Sequence, residues 1–411
     1  MKVENSSEKI TTITSRRPFN ILVISPFSEA ISGNDEVLVR VMEKIDMDKF
    51  RFVVVQPDDN PYAEIYRSLG AEVVFIKMSI IKRSLQPLFI TNYMSDFIPT
   101  VYRFIKLCRK YKIDIVHTNT TQIMGAGAAA KLLGLPSIYH AHSIIVSPRW
   151  VVKGMALWFK YTGDVMCANS YASAESYVKS GFPKEKVVVL GNPVPVEAFD
   201  KPELKGLFRK EICVGDSAPL IGIAGRVNRE KKIEHFIKAA SILSHLYPQA
   251  RFIIIGGANT LEEEKYLDDM KKLADVCGVS NKIIFTGTRK DIPAVMNSLS
   301  VYAHARTNEG FGLVIAEAMA TGVPVVAPAT GGILGLVEDN ITGFLVPPDD
   351  PEALAAGIST LLSNPDMAEA MGKAGKEKAN RLWKAEHVAD LIAQVYIKLF
   401  DFKAKMKEKR E

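Results

Sequence analysis

The hydrophobic positions of the chain fall into short continuous runs, and segments with helical spacing separate most of these runs. Residues 19–27 form the first run, and Val37, Val41 and Ile45 then recur at intervals of four residues. Continuous apolar strands alternating with amphipathic helices are typical of parallel sheets covered on both faces. The first half of the chain is therefore predicted to be α/β. Its further predicted strands are 51–56, 71–76, 113–117, 137–140, 165–168 and 187–190.

A change of composition separates this half from a second series of the same kind. Residues 191–219 contain four prolines and several charges, which predict a connector with only a short helical piece. Strands are then predicted at 220–224, 251–256, 282–286, 300–303 and 323–327. Helices are predicted at 232–246, 262–277, 291–298, 313–321, 351–362, 365–380 and 385–400.

The pattern thus predicts two doubly wound α/β halves of similar size, roughly 1–192 and 213–383, with a final helix that could pack on either. Two such sheets facing each other leave a cleft at the carboxyl ends of their strands. Ligands of open α/β folds bind in this position.

Composition narrows the class of protein. The 411 residues are 47% hydrophobic and 24% charged, which excludes an intrinsically disordered chain. The apolar runs are far shorter than the roughly 18 residues of a membrane-spanning helix. The polar N-terminus has no apolar core, so a secretory signal is not expected. The four cysteines form no CxxC pair, so a zinc site or disulfide framework is not expected, and a cytoplasmic location fits best.

The net charge of +6 is concentrated in one segment. Residues 77–112 carry eight Lys or Arg and one acid, Asp96, among apolar and aromatic residues. This mixture suits docking on an anionic membrane surface, where each cation contributes about 1 kcal/mol. An ordinary amphipathic helix with solvated cations would show the same pattern, and both interpretations stay open. A nucleic-acid partner is not expected.

The segment 302–332, YAHARTNEGFGLVIAEAMATGVPVVAPATGG, combines a strand end, a polar loop and a helix start. Gly310 and Gly312 leave the loop backbone open to a ligand oxygen. The first N–H groups of the following helix attract anions. Glu309 and Glu317 bracket the motif, and a carboxylate accepts hydrogen bonds from adjacent sugar hydroxyls. Solvated surface acids are the alternative interpretation of these two glutamates.

A second motif, GIAGRVNREKKIEHFI at 222–237, leads from a strand into a cationic loop. Arg226 offers a planar fork and Lys231 a point charge, so the two could clamp a diphosphate. Charged loops are common after strands, and the motif is weak by itself. Its position at the first strand end of the second half, facing the same cleft, strengthens it.

Together these motifs resemble those of the family-4 retaining glycosyltransferases, which have the GT-B fold. The resemblance rests on Arg226 and Lys231 in GRVNREK, on the E-x7-E pair Glu309 and Glu317, and on the continuation GVPVVAPATGG. It is specific over residues 215–365 and weaker over the N-terminal half, through IDIVHTNT and IYHAHS. It implies an acceptor-side Rossmann-like domain (1–192), a nucleotide-sugar-binding Rossmann-like domain (193–383) and a C-terminal helix (384–411) that packs back on the first domain.

The resemblance also implies residue roles. Arg226 and Lys231 would hold the donor diphosphate, Glu309 and the amides of Gly310–Gly312 the donor sugar, and Glu317 the ribose. Thr286–Arg289 would flank the base. The predicted catalytic residues are Arg226, Lys231, Glu309 and His142. The predicted donor-binding residues are Gly33, Thr286, Gly287, Thr288, Arg289, Gly310, Phe311, Gly312, Leu313 and Glu317.

The N-terminal half is expected to supply the acceptor site. Ser32-Gly33-Asn34 follows the first strand, where the family has a glycine-rich loop, but this chain has one glycine where a pair is usual. His140 and His142 end a predicted strand and share one face by alternation. The family's spacing favours His142 as the residue near the reacting carbon, although either histidine could be structural. His117 is interpreted as structural or acceptor-side.

Two further motif matches are interpreted as structural. The G-x-G-x-x-A match at 125–130 is separated from the preceding strand by 118–124 and lacks a following acid, so helix packing is expected instead of dinucleotide binding. Asp46 and Asp48 match D-x-D, but they precede a strand and are expected in a turn.

The leading hypothesis is retaining transfer of a sugar from a nucleoside diphosphate sugar to a carbohydrate or lipid-linked acceptor, as in polysaccharide biosynthesis. No metal or cofactor is expected, because Arg226 and Lys231 would stabilise the leaving diphosphate. The alternatives are a GT-B nucleotide-sugar epimerase and a non-catalytic nucleotide-sugar-binding subunit. The membrane hypothesis adds peripheral attachment to the cytoplasmic membrane face.

Overall fold

The computed structural model describes residues 17–25, 33–81, 87–144 and 148–408. Three residues of the sequence predictions, Ser32, Lys82 and Arg83, lie outside the described residues, as does the end of the first predicted strand. The predicted strands and helices that fall within these ranges are mostly present, within a few residues of the expected bounds.

The strands are β1 Phe19–Ile24, β2 Phe50–Gln56, β3 Glu72–Phe75, β4 Ile115–Thr118, β5 Ser137–Ala141, β6 Val165–Ala168, β7 Val187–Val189, β8 Leu220–Ala224, β9 Arg251–Ile255, β10 Ile283–Phe285, β11 Val301–Ala303, β12 Val325–Pro328 and β13 Gly343–Val346. The helices are α1 Gly33–Met42, α2 Pro61–Ser68, α3 Pro87–Lys110, α4 Met124–Leu133, α5 Arg149–Thr162, α6 Tyr171–Val178, α7 Val196–Phe199, α8 Lys205–Glu211, α9 Ile233–Leu246, α10 Leu261–Val276, α11 Ile292–Ser298, α12 Leu313–Thr321, α13 Ile333–Leu336, α14 Pro351–Ser363, α15 Pro365–Trp383 and α16 Ala385–Glu408.

The chain divides into two compact units. Residues up to Pro193, together with those from Ala385 onward, form the N-terminal unit. Val194–Lys384 forms the C-terminal unit. Each unit contains one parallel sheet among the described residues.

The N-terminal sheet has the strand order β3-β2-β1-β4-β5-β6-β7. The sequences of its strands are largely continuous apolar runs, because both faces of the sheet are buried. Ile21 and Val23 of β1 belong to the core shared with α1 and α16, whereas Leu22 and Ile24 pack with residues of α3 and α4. The order reverses between β1 and β4, which places a topological switch point there.

The C-terminal sheet has the order β10-β9-β8-β11-β12-β13, with its switch point between β8 and β11. Ile221 and Ile223 of β8 pack in the core that contains α9. Leu220 and Ala224 pack in the opposite core, which contains α12. Alternate residues of the same strand thus supply two cores, as in a doubly wound sheet.

Helix α16 belongs to the core of the N-terminal unit. Val388, Ile392 and Tyr396 are buried in the cluster that contains β1 and β2. The Tyr396 ring lies 5.6 Å from the ring of Phe50. The last helix therefore completes a sheet face that the first strands leave open.

The segment predicted as a connector forms part of a core instead. Val196, Phe199 and Phe208 are buried in the C-terminal unit. Arg209 is also buried and donates hydrogen bonds to the carbonyl groups of Ser298, Gly215 and Ala218 at 2.9–3.0 Å. The prolines suggested an exposed connector, but the apolar residues between them are buried in the core of the C-terminal unit.

Strand β13 was not predicted. It consists of Gly343 and three apolar residues and is followed by two prolines. A run of this length is too short to show the alternation of a strand. It pairs with β12 at the edge of the sheet. A Cβ atom at Gly343 would collide with the carbonyl oxygen of Val325, so glycine permits this close pairing.

Both structural interpretations of the extra motif matches are confirmed. Gly127 lies inside α4, where a Cβ atom would collide with the hydroxyl group of Tyr139. Asp46 accepts hydrogen bonds from the backbone N–H groups of Asp48 and Lys49 at 3.1 and 3.3 Å. The first motif permits close helix packing and the second stabilises a turn.

Candidate functional site

The charged residues predicted for the C-terminal half lie on loops at the carboxyl edge of its sheet. The loop 225–232 follows β8 and carries Arg226 and Lys231, and the loop 304–312 follows β11 and carries Glu309. β8 and β11 are neighbouring parallel strands. Both loops therefore lie at the switch point of the C-terminal sheet, where open α/β sheets bind ligands.

Glu309 lies at the centre of a cationic cluster. Its Oε2 atom is 3.9 Å from Nζ of Lys231 and 3.7 Å from Nε2 of His304. The same oxygen is 3.7 Å from Nη1 of Arg306. Arg306 also forms an ion pair with Glu230, with 2.8 Å between Nη2 and Oε2. The sequence analysis predicted Lys231 and Glu309 but assigned no role to His304 or Arg306.

The cluster determines the charge of Glu309. Burial works to raise the pKa of this carboxyl group, but the contact with His304 and the charges of Lys231 and Arg306 outweigh it and lower the pKa to about 2. Burial lowers the pKa of His304. At neutral pH, Glu309 is therefore an ionised hydrogen-bond acceptor beside a neutral imidazole.

The side chain of Lys231 passes over the backbone of Gly225. A Cβ atom at Gly225 would lie 2.6 Å from Cε of Lys231, and φ at Gly225 is 138°. The positive φ favours glycine there, and a Cβ atom would displace the side chain of Lys231 from this path. Burial lowers the pKa of the Lys231 ammonium group, and the charge of Glu309 opposes this shift. A poorly hydrated ammonium group interacts more strongly with an anionic ligand than an exposed one does.

Arg226 is held by a second carboxylate. Its Nε atom lies 3.2 Å from Oε1 of Glu263, in the first turn of α10. The other oxygen of Glu263 accepts a hydrogen bond from the backbone N–H of Asn259 at 2.7 Å. The Arg226 side chain is 45% exposed. Glu263 thus orients a guanidinium group that solvent, and hence a ligand, can reach.

The glycine-rich loop after β11 rests on the segment after β12. The backbone N–H of Gly332 donates to the carbonyl oxygen of Glu309 at 2.8 Å. A Cβ atom at Gly332 would collide with the carbonyl oxygen of Gly310. Thr330 adds a hydrogen bond from its hydroxyl group to the carbonyl oxygen of Thr307 at 2.6 Å. The ATGG sequence therefore supports the loop that carries Glu309.

The end of the same loop begins helix α12. Phe311 is buried, with its ring 5.6 Å from the ring of Trp383. Gly312 has φ 101°, and α12 starts at Leu313 without a capping side chain from the described residues. The first N–H groups of α12 can therefore bind an anion or a polar ligand oxygen.

Glu317 lies in the second turn of α12 and is 8% exposed. Besides burial, the charges of Glu309 and Glu317 act to raise the pKa of Tyr302 on β11. Both glutamates thus lie near the end of β11.

The TGTR segment packs against the loop after β9. The N–H of Gly256 donates to the carbonyl oxygen of Gly287 at 3.1 Å. A Cβ atom at Gly257 would collide with Oγ1 of Thr288. The segment that begins at Thr286 therefore lies at the carboxyl edge of the same sheet, on the β8-β9-β10 side.

Arg289 points to two carboxylates. Its guanidinium group makes hydrogen bonds of 2.7 Å with both oxygens of Glu211 and bonds of 2.7 and 2.8 Å with Asp291. It also lies over the ring of Phe208, 4.9 Å from the centroid. The two carboxylates raise the pKa of Arg289. Its predicted place beside a base stays a prediction.

In the N-terminal unit, a hydrogen-bonded chain orients His142 at the end of β5. The amide nitrogen of Asn119 donates to the carbonyl oxygen of Asn34 at 3.2 Å, so its Oδ1 atom faces His142. That oxygen lies 2.8 Å from Nε2 of His142. Nε2 therefore carries the proton. Asn34 follows Gly33 in the first turn of α1, so the hydrogen bonds link the segments that follow β1, β4 and β5.

Three histidines form a column beside this chain. The rings of His140 and His142 stack at 4.0 Å, and those of His117 and His140 at 5.4 Å. Burial lowers the pKa of His142 to about 3 and that of His117 to about 4. His117 and His140 are both buried, whereas His142 is partly exposed. The column is neutral at physiological pH, and His142 is its accessible end.

Two family models match the chain. The model described as Glycosyltransferase Family 4 matches residues 36–198, and the model described as Glycosyl transferases group 1 matches residues 207–378. The chain belongs to the family-4 glycosyltransferases. The predicted family is thus confirmed, and each model falls almost wholly on one of the two α/β units of this glycosyltransferase.

This family-4 glycosyltransferase is 30% identical over 302 residues to the sulfoquinovosyl transferase SQD2 of Arabidopsis thaliana, which covers 69% of this chain and 56% of that protein. The match thus spans little more than half of the length of SQD2. The chain is also 26% identical over 341 residues to the UDP-Gal:alpha-D-GlcNAc-diphosphoundecaprenol alpha-1,3-galactosyltransferase of Escherichia coli. This alignment covers 75% of the chain and 86% of the E. coli protein.

Among solved structures, Anabaena HepE in complex with UDP has a TM-score of 0.81 at 23% identity, and the alignment covers 92% of this chain and 100% of that one. This likeness confirms the predicted GT-B fold of two Rossmann-like units.

The geometry adds residues that sequence reasoning missed in this glycosyltransferase. His304 and Arg306 contact Glu309, Glu263 holds Arg226, and Asn119 orients His142. His304 and Arg306 lie in YAHAR, directly before the recognised NEGFG motif, so proximity to that motif was a usable signal. Glu263 is distant in sequence and gave no such signal.

The described residues contain no group of three or more His, Cys, Asp or Glu side chains that could hold a metal ion. In the same ranges, no helix of the glycosyltransferase is both long enough and apolar enough to cross a membrane.

Proposed function

We propose that this glycosyltransferase transfers a sugar from a nucleoside diphosphate sugar with retention of anomeric configuration and without a divalent metal. The cluster around Glu309 carries the proposal. It combines a carboxylate and an ammonium group, whose side chains are 14% and 15% exposed, with the start of α12 at one switch point. These groups suit a sugar joined to a diphosphate. The carboxylate can accept hydrogen bonds from sugar hydroxyls, and the ammonium group and the helix N-terminus can bind the diphosphate.

The donor would be bound by the C-terminal unit. Lys231 and Arg226 would neutralise the diphosphate, and Glu309 would accept hydrogen bonds from sugar hydroxyls. Glu317 would bind the ribose, and Thr286–Arg289 would lie near the base. HepE, which shares the fold, is named as a complex with UDP, and this name supports a nucleotide as part of the donor.

Glu309 is a poor candidate for the nucleophile of a double displacement. The cations of Lys231 and Arg306 and the imidazole of His304 lie 3.7–3.9 Å from its Oε2 atom. A carboxylate stabilised in this way has little tendency to attack a carbon atom. Same-face attack fits better: the bond between the anomeric carbon and the diphosphate breaks, the acceptor oxygen bonds to that carbon, and the departing phosphate takes the acceptor's proton.

The charges on the C-terminal unit support the proposed metal independence. The leaving diphosphate gains negative charge in the transition state, and Lys231 and Arg226 are placed to stabilise it. They would supply what a divalent cation supplies in other transferases. His142 would act as a neutral hydrogen-bonding group near the reacting carbon.

Calorimetric titration with UDP, GDP and ADP tests the donor site. One nucleoside diphosphate should bind selectively in EDTA, and Mg²⁺ should not be required. Arg226→Ala should weaken this binding and lower turnover with the matching sugar donor by about 10²-fold. The anomeric configuration of the product, read by NMR, tests retention. Binding only in the presence of Mg²⁺, or an inverted product, would contradict the proposal.

We further propose that the acceptor is lipid-linked and that the N-terminal unit docks on an anionic membrane surface. The name of the E. coli relative specifies a diphosphoundecaprenol acceptor, which supports this class. Helix α3 forms most of the predicted basic segment and exposes Met94, Ile98 and Tyr102 by 63–75% at four-residue spacing. Lys106, Arg109 and Lys110 follow on the same helix and are exposed.

Helix α5 adds a second apolar and cationic face to this surface. Trp150, Leu157 and Tyr161 are 67–70% exposed, and the exposed Lys153 and Lys160 lie between them. The sequence of α5 contains no acid. α3 and α5 are in contact, with the rings of Phe97 and Trp158 5.6 Å apart. Aromatic side chains among exposed cations suit a lipid headgroup layer.

Vesicle sedimentation tests the membrane proposal. The protein should sediment with vesicles of phosphatidylcholine and phosphatidylglycerol, less so at high salt, and not with phosphatidylcholine alone. The variant Leu157→Ser/Tyr161→Ser should bind about tenfold more weakly, since it removes two apolar anchors. Tyr171→Ser is the matched control, because Tyr171 is 76% exposed on α6 of the same unit. Equal sedimentation with both vesicle types would contradict the proposal.

A further inference from the structure

Two residues near the turn that carries Lys231 have left-handed backbone conformations although neither is glycine. φ is 51° at Lys232 and 60° at Asp349. A side chain makes this region unfavourable, and glycine normally occupies it. Such conformations persist when the surrounding contacts enforce them.

The two strained residues are joined to each other. The ammonium group of Lys232 forms an ion pair with Oδ1 of Asp349. The same oxygen lies 3.6 Å from Nε2 of His235, in the first turn of α9. Asp349 thus connects the start of α9 with the loop between β13 and α14.

Asp349 is attached to a rigid part of the unit. The next residue, Asp350, caps α14 by accepting a hydrogen bond from the N–H of Ala353 at 2.8 Å. Leu354 and Ile358 of α14 are buried in the core that contains α9. The position of Asp349 is therefore fixed by a capped and packed helix.

The conformation of Lys232 determines where Lys231 points. Lys231 ends a short 3₁₀ turn, and the N–H of Lys232 donates to the carbonyl oxygen of Arg229 at 3.2 Å. The left-handed residue then turns the chain into α9. Within this turn, the side chain of Lys231 crosses Gly225 toward Glu309. A different conformation at Lys232 would displace the ammonium group of Lys231 from this path.

We propose that Lys232 and Asp349 are positioning residues whose ion pair holds the left-handed turn that directs Lys231 toward the donor diphosphate. The inference rests on the proposed donor site and adds residues that do not contact the donor. Both side chains are partly exposed, 26% for Lys232 and 52% for Asp349, so the pair makes a modest contribution to overall stability. Its effect is expected at Lys231.

The test compares Lys232→Met, Asp349→Asn, the double variant and Lys232→Gly. Each single variant should bind the preferred nucleoside diphosphate about fivefold more weakly, in line with the loss of one partly exposed ion pair. The double variant should be no weaker than either single variant, because both remove the same interaction. Lys232→Gly should recover binding to within about twofold of wild type, since glycine adopts the turn unaided.

Two controls separate this inference from the proposed function. Lys238→Met removes an exposed lysine of α9 and should bind as wild type does. Hydrogen exchange of the amides of 225–232, measured without ligand, should be faster in Lys232→Met and Asp349→Asn than in wild type and Lys232→Gly.

Unchanged exchange together with wild-type binding in Lys232→Met would overturn the positioning role, as would a Lys232→Gly variant as weak as Lys232→Met. If Lys231→Ala also binds as wild type does, the donor site itself is wrong. If wild type binds none of UDP, GDP and ADP, the proposed function fails, and the exchange rates still decide whether the pair holds the turn.

Discussion

The two units present similar sheets with chemically different carboxyl edges. At the N-terminal switch point, His142, Asn119 and Asn34 form a neutral hydrogen-bonded chain beside the buried His140. At the C-terminal switch point, Glu309 is surrounded by Lys231, His304 and Arg306. The same architecture thus supports a neutral edge in one unit and a charged edge in the other.

This difference shows that the fold provides the position of a site and the loops provide its chemistry. Neutral imidazole and amide groups suit hydroxyl-bearing ligands, whose hydrogen bonds need no charge. Paired cations beside a helix N-terminus suit a diphosphate. Under the proposed function, the diphosphate of the donor would therefore bind to the C-terminal unit, and the neutral groups of the N-terminal unit would bind hydroxyl groups.

The largest effect is expected when the charged edge loses Lys231, the cation beside Glu309. Lys231→Ala should lower turnover by about 10²- to 10³-fold, because the leaving diphosphate loses a preorganised charge. Steady-state kinetics with the preferred donor measure this change. Lys238→Ala, at an exposed position on α9, is the matched control. Turnover within a few fold of wild type would show that the charged edge does not bind the diphosphate.

A second effect concerns the stability of the charged edge at low pH. The pKa of Glu309 falls from an ordinary value of 4.5 to about 2 in the folded protein. The ionised group therefore stabilises the fold above about pH 4.5, and this contribution of about 3 kcal/mol is lost as the pH falls toward 2.

Urea unfolding of wild type and Glu309→Gln between pH 7 and pH 3 measures this contribution. Wild type should be more stable at pH 7, and the difference in unfolding free energy should shrink as the pH falls. A difference that stays constant over this range would show that the charge of Glu309 is not coupled to its cationic neighbours.

The smallest effect is expected at the neutral edge. His142→Ala should lower turnover about tenfold, the loss of one hydrogen bond, and should leave the affinity for nucleoside diphosphates unchanged. Since the pKa of His142 is about 3, its removal should not shift the pH–rate profile between pH 5 and 8. His245→Ala, exposed on α9, is the control. Weaker nucleotide binding in His142→Ala would contradict the proposal that only the charged edge binds the nucleoside diphosphate.

The sequence predicted the regular elements well because their information is local. β2 and β8 are buried on both faces, and their apolar runs are continuous. Edge strand β13 gave a weak signal, since three apolar residues beside prolines do not define a period. The segment 191–219 was wrongly predicted as a connector because its prolines are visible in the local sequence. The residues that pack on Phe208 and bond to Arg209 lie far along the chain.

The candidate site was predicted in part for the same reason. Glycine-rich and charged loops are visible in sequence, so the loops of Lys231 and Glu309 could be placed at one cleft in advance. Their distance, and the contribution of Arg306, depend on the adjacency of β8 and β11, which are separated by two other strands in sequence. The bond between Arg226 and Glu263 likewise depends on tertiary structure.

The location of α16 has a consequence for how the chain acquires its structure during synthesis. The N-terminal sheet buries its β1–β2 face against Val388, Ile392 and Tyr396, which the ribosome produces after the whole C-terminal unit. The C-terminal unit, Val194–Lys384, is contiguous and could fold as soon as it emerges. The half made first would therefore mature second, and it would need protection from aggregation while it waits for its final helix.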